Sequence, residues 1–253
     1  MRSQTFLASI SLAVMLGQAG TVPPAAAISH STDSGNKQLQ PVVEPELQPV
    51  PPTPKPASGS RTPGGGLGDP ISVCPETSQE LTAIAPADVY GRSISNTPTF
   101  WFYVPYTAAD VDGKFSVVTE DEFERVYEID FELPEQPGLV SVTLPADVTA
   151  ELEELANYHW YLQLSCVAEE TIKTNLTVDG WLQWLQPTPE RQQMVNALSP
   201  EFWYDVLDSL AVELPTSSAD APESAEWSEL LQSVDLAHLA EEPIAGPVIV
   251  TDE

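Results

Sequence analysis

The run Pro98-Thr99-Phe100-Trp101-Phe102-Tyr103-Val104-Pro105-Tyr106 constrains this chain more than any other segment. Aromatic and β-branched side chains alternate to both faces of a strand, so a strand built from this run suits a position covered on both sides. A proline near each end confines its hydrogen-bonded part to about six residues. The run predicts a β domain of the exported kind rather than an enzyme.

Alternation extends that reading. From Glu122 to Leu133, Phe123, Tyr127, Ile129, Phe131 and Leu133 share one strand face with Arg125, and Glu122, Glu124, Glu128, Asp130 and Glu132 share the other with Val126. The same period groups Val140, Val142 and Leu144. It then sets Tyr158, Trp160, Leu162, Leu164 and Cys166 against Asn157, His159, Tyr161, Gln163 and Ser165, and groups Leu176, Val178, Leu182 and Trp184. Turn residues divide these runs at Asp112-Gly113, Gln136-Pro137-Gly138 and Ala168 to Lys173. Together they predict a mainly β fold, an antiparallel Ig-like β-sandwich over 71–186.

Beyond Gln186 the period becomes helical. Thr188-Pro189 and Ser199-Pro200 are N-cap and proline pairs, and Asp220 with Glu223 is a third start signal. Trp203, Val206, Leu207 and Leu210 fall on one helix face, as do Trp227, Leu230, Leu231 and Val234. These predict a C-terminal helical appendix over 187–240, followed by a loose acidic tail over 241–253.

The N-terminal part reads as an export signal: Arg2, an apolar stretch from Phe6 to Leu16, and a cleavage site at Ala25-Ala26-Ala27, giving a signal peptide over 1–27. That stretch is shorter than the roughly 20 residues that span a bilayer, so no transmembrane segment is expected. Residues 28–70, with Pro49-Val50-Pro51-Pro52-Thr53-Pro54-Lys55-Pro56 and Gly64-Gly65-Gly66, form a disordered Pro/Gly-rich spacer. The expected destination is the periplasm or the cell exterior, with the thylakoid lumen a further option. In an exported chain Cys74 and Cys166, the only cysteines, read as one disulfide.

The net charge is −29, and no lysine or arginine follows Arg191. Phosphate recognition rests on clustered cations, so nucleic acid is excluded, and anionic membrane surfaces are disfavoured for the same reason. Basic partners and cations remain.

No chemical motif stands out from this background. Of the three histidines, His30 is in the spacer, His238 is near the end of the appendix and His159 is on a polar strand face, so no triad is assembled and no catalytic residue or cofactor is assigned. Asp110, Asp112, Glu120, Asp121 and Glu122 are the calcium candidates, although Asp112-Gly113 is equally explained as a hairpin turn. Trp101, Tyr103, Trp160, Tyr161, Trp181 and Trp184 could stack on sugar or fill the core. The surface offered to a ligand or partner is drawn from Trp101, Tyr161, Trp181, Trp203 and Trp227.

Cys74-Pro75-Glu76, Leu81-Thr82-Ala83, the Pro98 to Tyr106 run, Tyr158-x-Trp160, Val178-x-Gly180-Trp181, Trp203-Tyr204-Asp205 and Trp227-x-x-Leu230-Leu231-x-Ser233-Val234 resemble a cyanobacterial domain of unknown function, number nine-two-eight. The resemblance implies a cyanobacterial, exported protein and carries no activity with it. Similar proteins bear more basic residues in the helical part than this chain does.

The functional expectation is a non-catalytic interaction module of the cell envelope with a protein partner. The alternatives are a carbohydrate-binding or calcium-assisted adhesion domain, and an envelope polysaccharide hydrolase with two inward carboxylates in a cleft.

Overall fold

The aromatic run forms strand β3 (Thr99–Val104), and all six of its residues are buried. The computed structural model describes residues 59–64, 73–87, 90–168, 172–214 and 224–251, all within one unit. The predicted signal peptide, the predicted spacer apart from 59–64, and the predicted helix start at Asp220 and Glu223 lie outside the described residues.

In one sheet β3 stands between β1 (Thr82–Ala83) and β6 (Gly138–Thr143), with β9 (Ile244–Pro247) beyond β6. The other sheet runs β10 (Ile249–Val250), β5 (Arg125–Glu132), β4 (Val111–Thr119), β7 (Asn157–Ala168), β8 (Ile172–Trp184) and β2 (Gly91–Ser93). Phe100 and Phe102 of β3 meet Phe115 of β4 at 5.1 and 6.3 Å and Trp160 of β7 at 5.8 and 5.5 Å between ring centres. The sheets therefore face each other through aromatic rings. They are mixed rather than wholly antiparallel, because β6 with β9 and β8 with β2 pair in parallel. Local alternation reveals which residues face inward but says nothing about such distant edge pairings.

Tyr158, Trp160, Leu162, Leu164 and Cys166 of β7 are all buried, as their alternation requires. Gly180 sits opposite Trp160 in the ladder, where a Cβ would come within 2.3 Å of the indole ring. A Cβ on Gly91 would lie 2.4 Å from the Tyr204 ring. The two large rings thus fit only over glycine.

The helices are α1 (Ala146–Thr149), α2 (Pro189–Asn196), α3 (Trp203–Glu213) and α4 (Ala225–Gln232). Thr188 caps α2, its Oγ1 accepting from Arg191 N at 3.3 Å. Ser199-Pro200 opens a 3-10 turn, Pro200–Phe202, that leads into α3. Ser224 caps α4 by accepting from Trp227 N. Trp203, Val206, Leu207, Trp227 and Leu231 belong to the same buried cluster as the strands, and α3 packs on both β2 and β3. The predicted appendix is therefore a docked wall of the core.

Tyr204 carries this docking. Its buried hydroxyl donates to Trp181 O at 2.9 Å and accepts from Trp160 Nε1 at 2.7 Å, while its ring lies 4.9 Å from Phe100. Tyr204→Phe leaves an indole N–H and a carbonyl without their partner in a dry place, and should destabilise the chain by about 2 kcal/mol or more. Urea unfolding followed by tryptophan fluorescence reads this; an unchanged midpoint would mean that the bonds contribute nothing net.

Four boundaries differ from expectation. The predicted loose tail instead supplies β9 and β10, which pair with β6 and β5. Folded contacts begin before residue 71, since Asp179 N donates to Ser60 O and Ala83 N to Arg61 O. Asp112-Gly113 is strand interior: the turn before β4 is made by Thr107 and Asp110, because β3 and β4 belong to different sheets and need a crossing rather than a hairpin. Phe123 precedes β5 and is 91% exposed rather than facing inward. Cys74 and Cys166 form the expected disulfide, closing a loop of 92 positions.

Candidate functional site

The polar face of β7 and β8, turned away from the core, brings His159, Tyr161 and Asp179 together with Glu122. The antiparallel register sets His159 opposite Trp181 and Tyr161 opposite Asp179. The imidazole lies flat on the indole, with centres 4.2 Å apart and planes 8° from parallel, and Tyr90 meets the same indole edge-on at 5.7 Å. His159 Nε2 is 2.7 Å from Asp179 Oδ2, and its Nδ1 is 2.7 Å from the Tyr161 hydroxyl and 3.2 Å from Glu122 Oε1. Tyr161 donates to Glu122 Oε1 at 2.8 Å.

Glu122 reaches this face from the turn between β4 and β5, where it adopts a φ of 61°, unusual for a residue with a side chain. Bonds from Tyr161 and His159 hold its carboxyl below the usual range, so it accepts. Burial, reinforced by Glu122, pushes the Tyr161 phenol upward, so it stays protonated and donates. Asp179 is anchored from its other side, where Oδ1 accepts from Ser60 N at 3.1 Å.

This arrangement is a locked network. The His159 side chain is only 11% exposed, and each ring nitrogen already has a partner. Tyr161 is no base, and the outermost polar member is Glu122, 58% exposed. The sequence reading placed His159 and Tyr161 together on a polar face, missed Asp179, and offered Glu122 only as a calcium candidate. Asp179 could have been found from the hairpin register; Glu122 could not, because its approach depends on a left-handed turn residue.

The other predicted site residues do not converge. Trp101, Trp203 and Trp227 are buried, Trp160 and Trp181 likewise, and among the aromatics offered as a sugar platform only Tyr161 and Trp184 are partly open, on opposite faces of the sheet. A stacking platform is therefore not formed. Trp101 Nε1 donates to Asp208 Oδ1 at 3.1 Å and Trp203 Nε1 to Ile84 O at 3.0 Å, whereas Trp227 Nε1 has no partner among the described residues. Among the calcium candidates, Asp110 and Asp112 stand at one end of β4 and Glu120, Asp121 and Glu122 at the other, about 25 Å apart at strand rise. Among the described residues no group of three or more His, Cys, Asp or Glu side chains is placed to hold a metal ion, and no helix is long and apolar enough to cross a membrane.

A separate cleft of about 560 Å³ lies between α3 and the segment after β2. Two carboxylates of α3, Asp205 and Asp208, line it. Asp205 accepts from Ser93 Oγ at 3.1 Å and Ile94 N at 2.9 Å, which ties the segment to the helix. Burial pushes its carboxyl up to about 6, and Asp208 moves in the same direction for the same reason.

Strands β1 to β8, the helices, the His159 network and the α3 cleft fall inside the stretch that decides the chain's kinship: a profile described as Domain of Unknown Function (DUF928) matches residues 56–244. The chain belongs to that family. No curated protein and no solved structure matches it. The residues that carried the resemblance acquire physical roles in this DUF928 chain. Cys74 closes the disulfide, Gly180 makes room for Trp160, and Tyr204 and Asp205 dock α3.

Proposed function

We propose that this chain is an exported, non-catalytic interaction module of the cell envelope of a cyanobacterium, and that it engages a protein partner. The observation that supports this reading is the complete engagement of His159. The side chain best suited to proton transfer is spent fixing a surface, with a protonated phenol and an ionised carboxylate held beside it. A net charge of −29 suits attraction of a basic partner. In this reading the two facing sheets act as an Ig-like scaffold, the leader directs export, and the spacer gives reach.

The test is affinity capture with short-range cross-linking and mass spectrometry, using the tagged chain expressed from its own promoter. A reproducible protein cross-linked to the folded part is the expected result. Recovery of glycan alone, or of nothing but the protein itself, would defeat the proposal.

A second reading, hydrolysis of an envelope polysaccharide, has one observation in its favour: two carboxylates with raised affinity for protons line one cleft. Against it, both already accept bonds from their own chain. Turnover of an envelope glycan that disappears in Asp208→Asn, with folding intact, would establish this reading and displace the first.

A further inference from the structure

The turn between β4 and β5 is built rigidly around a residue that touches almost nothing. Thr119 N donates to Glu124 O at 2.9 Å, Glu122 N to Thr119 O at 2.8 Å, and Glu124 N to Thr119 Oγ1 at 3.2 Å. Asp121 Oδ1 accepts from Thr119 Oγ1 at 2.6 Å and from Phe123 N at 3.2 Å. Glu122, in its left-handed conformation, is bonded down onto Tyr161 and His159. All of this holds Phe123 outward with 91% of its surface in water.

One exposed aromatic on a surface is ordinary. Here it lines a groove of about 880 Å³ together with Leu155, 57% exposed, and Val126, half-buried. Leu155 too has a positive φ, 68°, so both large apolar residues owe their outward presentation to a strained turn at or beside them. The groove's charged lining is Glu120, Asp121, Glu124, Glu151 and Glu153, all exposed, against Arg125 alone. Arg125 is itself paired with Glu128 at 2.8 Å.

We infer that this groove docks a lysine- or arginine-rich protein segment carrying an apolar side chain, which seats between Phe123 and Leu155 while its cations meet the carboxylate rim. The charge of the groove selects the cationic segment, and the apolar walls distinguish it from a merely basic one. Ordering the loop beforehand removes an entropic cost from binding, which is how a rigid aromatic becomes an anchor. The inference rests on the interaction-module reading and names the chemistry of its partner. The locked His159 network is, on this view, the base that holds the loop.

The test uses fluorescence anisotropy on the chain as it exists, with two labelled peptides of equal charge, one alternating lysine and leucine and one alternating lysine and serine. The lysine–leucine peptide should bind at least about tenfold more tightly. Phe123→Ser should remove that advantage and leave the weak lysine–serine binding unchanged, and Glu120→Gln with Glu124→Gln should weaken both. Raising salt from about 50 mM to about 300 mM should weaken both as well. Because Phe123 is exposed, its replacement leaves the thermal melt in place, which is checked alongside. Equal binding of the two peptides, or indifference to Phe123→Ser, would overturn the inference. A partner cross-linked through another face would overturn it too while leaving the module reading standing. Glycan turnover without any peptide binding would remove both.

Discussion

Replacing Cys74 and Cys166 together with alanine should lower the unfolding free energy by about 4 to 5 kcal/mol, the value the chain-entropy model gives for so long a loop. The bridge ties the segment ahead of β1 to the inner face of β7, where Cys166 is buried opposite Val111. Without it the unfolded chain regains the freedom of the whole 92-position loop. Small domains commonly hold only 5 to 15 kcal/mol, so a loss of this size is a large share of the total. Urea unfolding of the oxidised chain and the double variant measures it directly. A difference below about 1 kcal/mol would mean that the unfolded chain is already compact without the bridge, so that closing the loop costs it little.

Acidification from pH 7 to about 4.5 should stabilise the chain, the reverse of ordinary acid denaturation. Asp205 has a folded pKa pushed up to about 6 by burial, against 3.8 when unfolded. Between those values the folded chain carries a proton that the unfolded chain has lost, so the contribution is complete below 3.8 and vanishes as pH rises through 6. A shift of about two pKa units corresponds to about 3 kcal/mol, and Asp208 adds to it in the same direction. Carboxylates whose pKa values are lowered, such as Glu122 and Glu154, oppose this only as pH falls through and below their ordinary 4.5. Urea midpoints at several pH values should therefore rise on acidification, and Asp205→Asn should flatten the rise. A wild-type stability that declines steadily from pH 7 to 4.5 would refute the assignment.

What was legible in the sequence follows from what is local. The burial of β3 on both faces, the inward set of β7 and the cap at Thr188 all depend on neighbours in the chain, and each is where the pattern placed it; Ser199-Pro200 does open a 3-10 turn, but the Ser199 side chain makes no capping bond. Residues 241–253 looked loose because β9 and β10 are too short to show alternation; their pairing with β6 and β5 makes them strands. Phe123 matched the strand period by accident, two residues before β5 begins. Trp101, offered for stacking or for the core, is a core residue that bonds Asp208 of α3, whereas Trp181 stacks on His159. The site's histidine was visible, but its acid partners come from a left-handed turn and from the paired strand of its hairpin, and only the second follows from pairing β7 with β8.

The late arrival of β9 has a consequence for biogenesis. A chain delivered in order from a ribosome presents β6, with Leu139 and Val140 ready to be buried, long before residues 244–247 exist to pair along its open edge. The same holds for β2, whose partner on β8 is made far later. Contacts so distant in sequence are slow to form, so the chain stays pliable while it is being made. Under the export reading proposed above, that delay would keep the chain passable through a narrow protein-conducting pore.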